Sequence, residues 1–125
     1  MVFGCLHVQI GGCTLTRLNQ TVLVDMKLLV ETAPADSIGG TALQRKLDRL
    51  VERARTRIRG AIGQPQHVAA RRMRSAESRI RRFLVMVDTG KEAGRISAAL
   101  AENLTKLAAR ALTDLKALLE PAAQA

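Results

Sequence analysis

Arg45, Arg49, Arg53 and Arg57 recur every four residues, and Arg71, Arg72, Arg74, Arg79, Arg81 and Arg82 crowd the segment that follows. A guanidinium is always charged and offers five donors in a planar fork, which suits phosphate and carboxylate recognition. Between Thr41 and Arg82 thirteen Lys/Arg stand against three acids, Asp48, Glu52 and Glu77. The whole chain carries a net charge of +9, so the excess sits in this one block. If the two arginine stripes converge, they would attract nucleic acid, anionic polysaccharide, lipid headgroups or an acidic protein. The competing account needs no ligand: Arg and Ala both rise in GC-rich genomes, and charged runs usually end as a solvated face. Pairs such as Arg45 and Arg49 repel along a helix by a few tenths of a kcal/mol, which Asp48 and Glu52 relieve in part.

Little else has chemical reach. His7 and His67 are the only histidines, and Cys5 and Cys13 the only cysteines. Cys5 and His7 are neighbours, but no acid is placed to orient the imidazole for nucleophilic catalysis. Cys5, His7 and Cys13 offer three soft ligands where a structural zinc site takes four, and paired Cys-x-x-Cys spacing is absent. A site completed by His67 is the one metal arrangement available. Gly11-Gly12 is not followed by the Gly-Lys-Ser/Thr of a phosphate loop. We therefore expect no catalytic residues, no metal and no cofactor. The spacing of the two cysteines decides neither a disulfide nor a pair of reduced thiols.

The elements that must carry the arginines are helical by composition and by period. There is no Trp or Tyr and only two Phe, so the core must come from Leu, Ile, Val, Met and Ala, which pack well between helices. From Thr41 a capping box, Thr41-x-x-Gln44, opens a helix whose apolar stripe is Leu43, Leu47, Leu50, Val51, Ala54, Ile58 and Ile62. Gly63 and Pro65 end it. A second stripe runs through Ala69, Met73, Ala76, Ile80, Phe83, Leu84 and Val87 before a turn punctuated by Gly90 and Gly94. The third follows a Ser97 cap through Leu100, Leu104, Leu107, Ala108, Ala111, Leu115 and Leu118, with Pro121 closing it.

Short connections make sequential helices antiparallel, so the expected fold is all-α, an antiparallel up-down three-helix bundle over 41–120, with helices at about 41–62, 65–88 and 97–119. Residues 1–40 form an N-terminal segment. Leu6, Val8 and Ile10 alternate as a short extended piece would. Leu15, Leu18, Val22, Met26 and Leu29 predict an extra helix over 16–31, and residues 32–40 read as a linker. The extra helix would supply a fourth wall. No run is long and apolar enough to span a membrane. Met1 to Ile10 lacks the basic region of a secretory signal.

One stretch resembles a known family. Leu43-x-x-x-Leu47, Ala76-x-x-x-Ile80-x-x-Phe83-x-x-x-Val87, Gly94-Arg95-Ile96-Ser97 and the Leu100, Leu104, Ala108 stripe are similar to helical modules at the C-terminal ends of long exported bacterial proteins, including the FIMAH-type domain. The resemblance covers residues 43–119. It implies a non-catalytic accessory module for attachment or assembly outside the cell, and it transfers no binding residues. The sequence departs from the pattern in lacking a signal and an attached domain, which leaves open whether the chain is whole or the tail of a longer one.

The expected function is thus a helical interaction or structural module of an exported or cell-surface bacterial protein, with a protein or anionic partner. A nucleic-acid-binding protein using the block 41–82 is the alternative. The expected setting is extracellular or at the cell surface if the resemblance holds, and cytoplasmic otherwise. Against nucleic acid stand the missing aromatics that would stack on bases. Apolar surface left by a loosely attached N-terminal segment would favour a homodimer.

Overall fold

A computed structural model describes the backbone of residues 12–124 and the side chains of residues 15–119. The extended piece expected from Leu6, Val8 and Ile10 lies outside the described residues. Within them the chain is helical and holds no strand. The elements are α1 (Gly12–Arg17), a π-helical turn (Leu18–Val22), α2 (Leu23–Thr32), a short 3-10 turn (Ala35–Ser37), α3 (Thr41–Ala61), α4 (Gln66–Glu92) and α5 (Ala98–Gln124). The first three join without a break, because Arg17, Val22 and Leu23 all keep right-handed helical angles. The extra helix thus begins at Gly12, earlier than its apolar spacing placed it.

The N-terminal helix packs against α3 and α5, and α4 packs against the same two helices, so four helices close a ring around one core. Contacts along neighbours run in opposite order. Gln44 meets Val30 and Ala33, whereas Asp48 meets Lys27 further back. Likewise Gly60 lies against Arg72 and Leu43 against Gly90. Among the described residues the core is aliphatic apart from one ring, Phe83, and Leu47, Ile58, Ile80, Leu104 and Leu115 are fully buried in the same cluster. Alanines at 54, 76, 108 and 111 are also fully buried and let the helix backbones approach closely.

Several local expectations need correction. Thr41 and Gln44 make no capping box: α3 starts behind Gly40 with no side-chain cap. Gln44 instead reaches across to the end of α2 and donates from Nε2 to the Val30 and Ala33 carbonyls at 2.7 and 3.0 Å. The last carbonyls of a helix lack intrahelical partners, so a neighbouring amide satisfies them better than a water at a packed junction. Pro121 does not close α5, which continues to Gln124. Proline withdraws only one donor there, and the final turn of a helix has few bonds left to lose. Gly90 belongs to α4 rather than to the turn, which is made by Gly94 at φ +74°. Ser97 does act as expected, accepting from the Leu100 amide at 3.3 Å.

Residues 32–40 are not a loose linker. Ile38 is fully buried and forms an isolated antiparallel bridge with Ile96, and the Ser97 amide donates to the Ser37 carbonyl at 2.9 Å. Two connections at the same end of the bundle are therefore clasped together.

The π turn moves the phase of the N-terminal stripe. The wider turn rotates the following helix, so Leu23 and Val30 enter the core along with the expected Leu15, Leu18, Val22 and Met26, whereas the expected Leu29 is only partly buried. The same turn buries Asn19, only 5% exposed, whose Oδ1 accepts no hydrogen bond among the described residues. Such an orphan acceptor costs about 1–3 kcal/mol.

Two helical glycines respond oppositely to a methyl group. A Cβ at Gly90 would stand 2.6 Å from Ile96 Cδ1 and 2.8 Å from its Cγ1, and Ile96 is buried and held by the Ile38 bridge. Gly90→Ala is expected to lower stability by about 1–3 kcal/mol through overpacking. A Cβ at Gly60 would meet only the side chain of Arg72, with Nη1 at 2.9 Å and Cδ at 3.4 Å, and that long chain can yield by rotating about its own bonds. Gly60→Ala is expected to raise stability by about 0.5–1 kcal/mol, because alanine loses less backbone entropy in a helix. Urea unfolding midpoints of the two variants check both signs.

Candidate anion-binding seam

The charges of α3 are sorted by side. At about 3.6 residues per turn, Gln44, Asp48, Glu52 and Arg55 fall on the flank that meets α2. There Lys27 Nζ gathers three carboxylates: Asp48 Oδ1 at 3.0 Å, Glu31 Oε2 at 3.3 Å and Glu52 Oε1 at 3.5 Å. Glu52 is shared with Arg55 Nη1, also at 3.5 Å. Burial opposes the charge on Lys27, but hydrogen bonds and charges from Asp48 and Glu31 outweigh it and hold the pKa above the ordinary 10.5. A raised lysine pKa means stability that is complete below 10.5 and lost as pH climbs through the higher folded value. Lys27→Met is expected to cost about 1 kcal/mol or less at neutral pH, since the cluster is partly solvated. The deficit should shrink in titrations carried above pH 10.5.

With both acids of α3 drawn to that side, the opposite flank is purely basic. Gly60 and Leu43 mark where α3 faces α4, and Lys46, Arg53 and Arg57 fall in the arc between them, with Arg49 at its outer edge. On α4 Arg79 falls beside the line marked by Arg72 and Gly90, and Arg71 and Arg82 share the outer edge of that arc. The two contact levels fix the register: Arg53 stands level with Arg79, and Arg57 stands between the levels of Arg72 and Arg79. The acid of the basic block on α4, Glu77, lies on the other side of its helix and binds Arg81 Nη2 at 3.5 Å.

Of the ten arginines singled out from sequence, seven fall on or beside the α3–α4 seam: Arg53, Arg57, Arg72 and Arg79 on it, and the exposed Arg49, Arg71 and Arg82 at its outer edges. None of the seven has an ion pair among the described residues. Arg45 and Arg74 are exposed outside the seam, and Arg81 is engaged with Glu77. Arg72 and Arg79 are half-buried, and the Nε–H of each is out of solvent with no acceptor among the described residues. Both donors cost stability as they stand.

Sequence reasoning missed what lies at the end of the seam. Beyond Arg82, one helical turn on, Met86 joins Leu43, Val85, Thr89, Gly90, Ala93 and Arg95 around an open apolar groove of about 400 Å³. Val85 there is 63% exposed. Its residues belong to two helices and a turn, so no single stripe announces it. The glycine at 90, which lets the groove floor sit low, was the available signal.

The other candidate residues are not gathered. His67 is exposed at the start of α4. Cys5 and His7 lie outside the described residues, as does the side chain of Cys13. Among the described residues no cluster of three or more His, Cys, Asp or Glu could hold a metal, and no helix is long and apolar enough to cross a membrane.

Compared with family models, curated proteins and solved structures, the chain matches none.

Proposed function

We propose that this chain is a non-catalytic helical interaction module that presents the α3–α4 seam to an anionic partner. The observation that carries this reading is the segregation of charge on α3: its acids are tied up with Lys27, while arginines with no ion pair among the described residues line the opposite seam. Unpaired guanidiniums at close quarters repel one another, and a row of carboxylates or phosphates would relieve that. The resemblance to C-terminal modules of exported bacterial proteins supports a cell-surface setting.

Nucleic acid is the alternative partner, since the same arginines would meet phosphates. A salt titration of binding to polyglutamate and to random-sequence duplex DNA tests both. Seam binding predicts affinity falling linearly with log salt, with a slope near −0.9 per phosphate contact on DNA. Weak binding to both probes with a flat salt dependence would leave the arginines as a solvated face and end the proposal.

A further inference from the structure

The groove beside the seam narrows the chemistry of the partner. We infer that the seam and the groove form one continuous site for an acidic polypeptide segment that inserts an aliphatic side chain between carboxylates. This rests on the anionic-partner reading and goes beyond it by naming the partner class.

The case is one of juxtaposition. Arg82 and Met86 are one helical turn apart on the same side of α4, so the basic and apolar surfaces are continuous. The groove is bracketed by cations, with Arg95 in its own lining and Lys46 and Arg82 at the seam end. Asp88 and Glu92, the acids at this end of α4, fall outside the stripe that joins Arg82 to Met86. A ligand that fills the groove must therefore be apolar at one point and negative on both sides of it. A polypeptide with acidic residues around a Leu or Ile has that pattern.

Other occupants fit worse. A nucleic acid would satisfy the arginines but has no flexible aliphatic group to bury at Met86 and Val85, and the site has no aromatic ring for a base to stack on. A second copy of this chain would bring the same row of arginines against the first. The acidic segment satisfies both halves of the site at once, and the idle Nε–H donors of Arg72 and Arg79 would gain acceptors if those side chains turned outward.

The test uses two short synthetic peptides, one with a Leu pair between runs of Glu and one with Ala in place of Leu. Binding is measured by fluorescence anisotropy on the unaltered chain. The Leu peptide is expected to bind tighter by about tenfold or more, the scale for burying an aliphatic side chain. Filling the groove by Thr89→Phe, at an exposed helical position, should erase that difference. Equal binding of the two peptides overturns the groove inference while the basic seam stands. Absence of binding by either removes the seam reading as well. Random-sequence duplex DNA binding more tightly than the Leu peptide gives the site to nucleic acid. A concentration-dependent dimer that Thr89→Phe dissociates gives it to a second copy.

Discussion

Phe83→Ala is expected to lower the unfolding free energy by about 3–5 kcal/mol, the range for deleting a buried aromatic ring. Phe83 is fully buried, and every other large core residue of the described chain is aliphatic or Met. Its ring fills the space where α4 meets the rest of the core, and the surrounding Leu, Ile and Ala side chains are themselves enclosed. Partial collapse onto the vacancy would have to move whole helices, because close-packed interiors transmit strain. A domain of this size has only about 5–15 kcal/mol in total, so the variant should lose roughly a fifth or more of its stability. Urea unfolding followed by far-UV circular dichroism measures it. A loss below 1 kcal/mol would mean that Phe83 does not anchor the core.

The second large effect separates binding from stability. Replacing Arg53, Arg57, Arg79 and Arg82 together by Gln should cut the log–log salt slope of polyanion binding by about four, one for each guanidinium removed. The same variant should fold at least as well as the parent. Arg53 and Arg57 are four apart on α3, Arg79 and Arg82 three apart on α4, and such like-charged pairs are destabilising by a few tenths of a kcal/mol each. None of the four has an ion pair to lose among the described residues. Weakened binding together with a lowered unfolding midpoint would point to a structural role for these side chains instead. An unchanged salt slope would place the contacts elsewhere.

Much of the fold was legible in the sequence because its signal is local. Leu47, Leu50, Val51, Ala54 and Ile58 repeat at helical spacing, as do Met73, Ala76, Ile80, Phe83 and Val87, and each set is buried. What escaped depends on geometry between helices. Gln44 three residues after Thr41 has the spacing of a capping box, but the nearby carbonyls of α2 compete for its amide and win. The apolar spacing of 15–29 assumes an unbroken α-helical period, which the π turn at Leu18–Val22 shifts by one residue.

The arginine block was visible as a count, yet its sorting into seam and outer face follows from which flank of α3 meets α4 and which meets Lys27. That register is set by side chains far apart in sequence. The groove at Leu43, Met86 and Gly90 was invisible for the same reason.

The Ile38–Ile96 bridge ties one end of the bundle. It fastens the α2–α3 connection to the α4–α5 turn, whereas among the described residues the other end holds the turn after Ala61 and the ends of the first and last helices. Local opening of a bundle costs more beside such a tie than away from it, as the covers of a book part opposite the spine. The apolar groove sits by the spine and Arg57 and Arg72 toward the fore-edge. If the seam and groove act as proposed, the part that selects shape sits beside the tie, and Arg57 and Arg72, further from it, have more latitude to match the charge spacing of a partner.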